Sequence, residues 1–129
     1  MKFKIILICI LILLISIQAA IAIAPTILLS AVTSTGAGIG KTVKETFKDW
    51  TCQVNITGSP TIVTVGLEGN LDGTIYTSMD TYIFTAADLS AGQGVFSIIG
   101  QPANSIRGNL ITFTGGTSPT LTMICVGVN

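Results

Sequence analysis

Two stretches at opposite ends of this chain's body alternate apolar and polar residues at period two, and each carries one cysteine on its apolar side. In Trp50-Thr51-Cys52-Gln53-Val54-Asn55-Ile56-Thr57 the apolar set is Trp50, Cys52, Val54 and Ile56; in the last run, from Thr120 to Val128, it is Leu121, Met123 and Cys125. Period two is the spacing of a strand buried on one face only. Both cysteines are therefore expected to point inward with the core. A bridge between them would tie an early strand to the final one. The third cysteine, Cys9, lies in the apolar stretch at the front of the chain and is lost with it or lies in lipid, which leaves Cys52 and Cys125 a single intramolecular connectivity; in an exported chain a disulfide is the default. Two unpaired buried thiols would be the expectation in a reducing compartment. Two cysteines without histidine make a poor metal site.

The residues between these runs carry the same signature. Residues 62–68 place Val63, Val65 and Leu67 on one face, and further β-rich runs fall at 74–79, 81–85, 94–99 and 106–114. Gly58-Ser59-Pro60, Gly69-Asn70-Leu71-Asp72-Gly73, residues 100–105 with Pro102, and Gly115-Gly116-Thr117-Ser118-Pro119 punctuate them. Gly, Pro, Asn and Asp at such places supply turns. Short strands at this spacing point to an antiparallel sandwich or barrel, and the expectation taken is an all-β domain, a single antiparallel β-sandwich of six to eight short strands. Residues 36–49 fit either a helix (Ile39, Val43, Phe47 and Trp50 at helical spacing) or an edge strand; the strand is preferred because Trp50–Thr57 needs partners.

The front of the chain is different. Lys2 and Lys4 precede eleven uninterrupted apolar residues, 5–15, and small residues follow at Ala20, Ala22 and Ala24. That is the layout of a secretory signal with a small-x-small cleavage site, favoured after Ala22. Left uncleaved, residues 5–24 as a helix would span about 30 Å, enough to cross a hydrocarbon core. The expected organisation is a hydrophobic signal or anchor helix over 1–24, an extended arm over 25–35, and the sandwich over 36–129. Secretion, to an extracellular or virion surface, follows from it; membrane contact is expected only through 5–24 if that segment is retained.

Composition limits the chemistry. The chain has no histidine, six Lys+Arg, six Asp+Glu and no formal net charge. Histidine-based triads and imidazole bases are excluded. After Lys48 the only cation is Arg107, so no electrostatic footprint for nucleic acid exists. Gly36-Ala37-Gly38-Ile39-Gly40-Lys41-Thr42 lacks the phosphate-loop spacing, because Thr35 stands where glycine is required. Glu68, Asp72, Asp80 and Asp88 could supply acid/base pairs, yet nothing in their spacing brings two together. Asn70 and Asp72 could hold calcium but more simply stabilise a turn. Asn55-Ile56-Thr57 is a glycosylation sequon with Asn55 on the outward face. No cofactor is expected, and no enzyme.

Residues 65–76, Val-Gly-Leu-Glu-Gly-Asn-Leu-Asp-Gly-Thr-Ile-Tyr, resemble a pattern in small virion-associated β-sandwich proteins, where Leu-Glu-Gly-Ser-Leu-Asp-Gly-Thr is followed by an aromatic, usually Trp. The runs 106–110 and 115–122 are similar to the close of the same domains; together with Lys41–Ile56, the resemblance covers about residues 34–128. It implies fibre, tail or capsid-decoration modules that act by assembly. Tyr76 stands in place of Trp after one inserted residue. Residues 65–76 also resemble a segment of discoidin-type lectin sandwiches. Two functions follow as expectations. The first is an exported structural or assembly subunit that self-associates, with Ile27, Leu28, Leu29 and Val32 of the arm adding as a strand to another subunit. The second is a glycan- or receptor-binding adhesin-like sandwich using Asn70, Asp72 and Tyr76.

Overall fold

The computed structural model describes residues 24–128, and the expected signal or anchor lies outside them save for Ala24. Nine strands form: β1 (Thr26–Val32), β2 (Gly36–Ala37), β3 (Lys41–Phe47), β4 (Asp49–Thr57), β5 (Ile62–Asn70), β6 (Thr77–Ile83), β7 (Gln93–Ile98), β8 (Ala103–Thr114) and β9 (Thr120–Val128), with one short helix, α1 (Ala86–Ala91), between β6 and β7. Sheet one runs β1-β9-β4-β7; sheet two runs β2-β8-β5-β6, with β3 also on β8. Every pairing is antiparallel. β2 and β3 lie end to end along β8 and act as one interrupted strand. Counted so, eight strands are shared between two four-stranded sheets in the order of a jelly roll, with only β5 and β6 following each other in the same sheet.

The alternation of β4 and β9 is realised in full. Trp50, Cys52, Val54, Leu121, Met123 and Cys125 are all buried, facing Val63, Val65, Leu67, Ile106 and Leu110 of the second sheet in a single core. Cys52 and Cys125 are direct cross-strand partners and are joined as a disulfide. The bridge therefore staples two neighbours within sheet one.

The arm is corrected. Thr26–Val32 is the first strand of the sandwich, paired with β9 at Thr26↔Cys125, Ile27↔Ile124 and Leu29↔Met123. Leu28 and Leu29 are 4% and 3% exposed. Two adjacent residues can both point inward because the register slips between Ile27 and Leu29, the bulge giving one strand an extra residue. Gly108 makes room on the facing strand: a Cβ there would lie 2.9 Å from Leu29 Cγ. Val32 packs against the core margin, so of the four apolar residues expected to form the arm Ile27 alone is exposed. A segment committed to its own core is not free to complete another subunit, and the domain begins near residue 26 instead of 36.

Two smaller differences share a cause in local chemistry. β6 runs unbroken through Asp80, since an edge strand on a solvated side tolerates a charge. Residues 86–91 are helical: Thr85 caps the helix, Asp88 completes a capping box, and Gly92 ends it at φ 70°, the left-handed conformation glycine adopts without strain. No helix among the described residues is long and apolar enough to cross a membrane.

Candidate functional site

The turn joining β5 to β6 builds one wall of an open cleft of about 500 Å3, lined among others by Asn70, Leu71, Ile75, Met79, Gln101 and Pro102. Asp72 shapes that turn. Its Oδ1 accepts the N–H groups of Thr74 at 2.8 Å and Ile75 at 3.0 Å, and these donors hold its carboxyl below the ordinary value of 3.8. The opposite wall is pinned by Gln101, whose N–H donates to the Lys48 carbonyl and whose side-chain amide donates to the Met79 carbonyl at 3.0 Å. Its own carbonyl accepts from Trp50 Nε1 at 3.2 Å. Asn104 bridges the walls by donating to the Leu71 carbonyl at 2.9 Å.

Asn70 is the exception in this ordered setting. It is 4% exposed, and neither its Oδ1 nor its Nδ2 has a hydrogen-bond partner; it is the sole such side chain among the described residues. Leaving a buried polar group unpaired costs about 1–3 kcal/mol, so an orphan amide beside a cleft calls for a reason.

Tyr76 does not join Asn70 and Asp72 at the cleft. Its hydroxyl is 2.7 Å from Ser105 Oγ, and the Arg107 guanidinium lies 4.3 Å above its ring. Gly40 fits against the same hydroxyl, where a Cβ would overlap it. Arg107 Nε in turn donates to Glu68 Oε2 at 2.6 Å, and Asn109 Nδ2 donates to Glu68 Oε1 at 2.7 Å. Tyr76 is half-buried and held by β8, so two of the three expected ligand residues share the cleft and the third serves a polar cluster on sheet two.

Asp49 accepts from Gly100 N–H and Asp80 from Thr81 N–H. Asp88 accepts from Tyr82 Oη, Thr85 N–H and Thr85 Oγ1, which lowers its pKa from 3.8, the Thr85 backbone bond first. With Glu68 and Asp72, each of the five carboxylates whose side chains are described is engaged within its own fold. Among the described residues no three Cys, Asp or Glu gather in a metal-binding group. Asn55 sits on the outer face of central strand β4, half-buried, its Oδ1 accepting from Gln53 Nε2 at 3.0 Å.

No protein-family model matches the chain, and no curated protein matches it. Among solved structures it is similar to the crystal structure of SPBc2 prophage-derived protein YomS, with a TM-score of 0.52 and 16% identity, over 81% of this chain and 92% of that one. At that identity the likeness is one of fold.

Proposed function

We propose that the chain is an exported, non-enzymatic structural subunit of a virion or an extracellular surface structure, working by assembly. What carries the reading is the way its described carboxylates are spent: each of them is bonded to a group of this same chain, and Arg107 is paired with Glu68. The outer strand faces are left to residues such as Thr51, Gln53, Thr57, Val95 and Ser97. Such a surface suits contact with protein better than turnover of a substrate, which needs poised acids, bases or nucleophiles. The disulfide supports an oxidising destination. Likeness to a prophage-derived protein supports a virion setting, by analogy of fold alone.

The test is negative-stain microscopy with sedimentation velocity on the full chain, recovered from cells that export it and kept in mild detergent if residues 5–24 are retained. Assemblies larger than a monomer are expected, growing with concentration. Monomers throughout the range would refute the reading.

The orphan amide of Asn70 favours a second reading, a cleft that takes a glycan or a receptor group. A carboxamide offers a donor and an acceptor together, the pattern a sugar hydroxyl matches. A glycan array probed with and without calcium, and with Asn70→Ala alongside, separates the two readings. Blank arrays in both conditions reject the cleft.

A further inference from the structure

A sandwich has edges, and an unprotected edge is a template for another strand. Four of the five edge strands here are blunted. β1 slips register twice and holds Ala31 at φ 46°, and the Ala31 N–H is taken by Thr122 Oγ1. β2 has two residues. β3 slips register between Thr42 and Phe47 and begins at Lys41. β6 carries Asp80, whose carboxylate takes the Thr81 N–H, and slips at Leu67/Glu68 of its partner.

β7 has none of these devices. Gln93–Ile98 contains no charge and no proline, and its register with β4 is continuous from Trp50↔Ile98 to Asn55↔Gln93. The direction of its free groups can be worked out. Ile56 donates its N–H to the Gly92 carbonyl at 2.8 Å, so residues of that parity in β4 turn their backbone groups toward β7. Cys52 agrees: its Cα lies 4.1 Å from that of Cys125, the close spacing of an antiparallel pair that exchanges no hydrogen bonds. Gly94, Phe96 and Ile98 therefore bond β4, while Val95 and Ser97 present N–H and C=O to the open side. Both residues are exposed, and exposed Ile99 follows.

We infer that β7 is the seam through which two copies of this chain join, antiparallel and edge to edge, turning two four-stranded sheets into one of eight. This rests on the assembly reading above and deepens it. A second copy fits because the edge complements itself: pairing centred on Phe96 sets Val95 of one copy against Ser97 of the other, twice, with no ionised group opposed. Cleavage after Ala22 takes Lys2 and Lys4 away and leaves four Lys+Arg against six Asp+Glu, a small net charge that opposes association between copies only weakly. The pairing is isologous and consumes both edges, so it closes at a dimer; growth beyond two copies requires another surface. Six-residue edges bury less than the roughly 1,000 Å2 of a stable interface, so association is weak and concentration-dependent.

The test is amide hydrogen exchange over a concentration series of the full chain, in mild detergent, alongside sedimentation, for the native sequence, Val95→Lys and Ser97→Pro. Ser97→Pro removes an N–H that the inner ladder does not use; Val95→Lys puts a charge on the edge and leaves the backbone intact if the proline variant fails to fold. A dimer whose Val95 and Ser97 amides slow by at least roughly tenfold as it forms, and which Val95→Lys abolishes, is the expected result. Association with both amides still exchanging fast overturns the seam and leaves the assembly reading standing. A monomer at every concentration overturns both.

Discussion

Leu29→Ala separates a core strand from a detachable arm. Leu29 is 3% exposed, wedged between β1 and β8 where Gly108 offers no side chain to fill a gap. Burial of a leucine contributes about 1.5–3 kcal/mol. Truncation adds the cavity left behind, which brings the usual cost to about 2–5 kcal/mol. Gly108 cannot close that cavity, so the upper half, about 3–4 kcal/mol, is expected. That is a large share of a domain stability of about 5–15 kcal/mol. Ile27→Ala is the internal control: at 52% exposure on the outer face it forfeits about half the transfer term and leaves no cavity, about 1 kcal/mol. Urea unfolding of both variants with the disulfide intact reads the difference as a shift in midpoint at constant slope. A Leu29→Ala cost below that of Ile27→Ala would refute β1 as a core element and restore the arm.

Other consequences follow from the same contacts. Cys52→Ala with Cys125→Ala opens a loop with a sequence separation of 73, and the chain-entropy relation puts the loss at about 4 kcal/mol, readable as a lower melting temperature than that of the oxidised protein. Asp88 has its native pKa depressed below 3.8 by the Thr85 bonds and Tyr82, so the stability it contributes is present above that value and is lost as pH falls through the native pKa. Asp88→Asn, which no longer titrates, should flatten the fall in melting temperature as pH drops below 3.8. Asn70→Leu, replacing an unpartnered amide with an apolar group of similar size, should leave stability unchanged or raise it; a loss above about 2 kcal/mol in thermal unfolding would mean the amide is satisfied in solution.

What was legible in the sequence depended on how local each signal was. β4 and β9 follow strict alternation, so their inward residues, and the cysteines among them, could be read directly. β1 could not, because its bulge buries Leu28 and Leu29 side by side and an adjacent apolar pair after a long apolar run of sequence looks like a free arm. The helix did leave a trace, Thr85 followed three residues later by Asp88 and then by Gly92, in a stretch too short for a helical period. Tyr76 shows the other limit. Its partners Ser105 and Arg107 are 29 or more residues away, and only the jelly-roll pairing of β5 with β8 brings them near. Asn70 was singled out for its place in a turn; that its amide goes unpaired emerges only from packing.

The central proposal is that the chain is exported and that an oxidising destination seals its sandwich through Cys52 and Cys125. Intact mass of the protein from the cells that make it, alkylated without reduction, tests this most directly. The expected result is a chain starting after Ala22, with no alkyl group added and two added once it is reduced. A chain still beginning at Met1 and alkylated at Cys52 and Cys125 before reduction would contradict it.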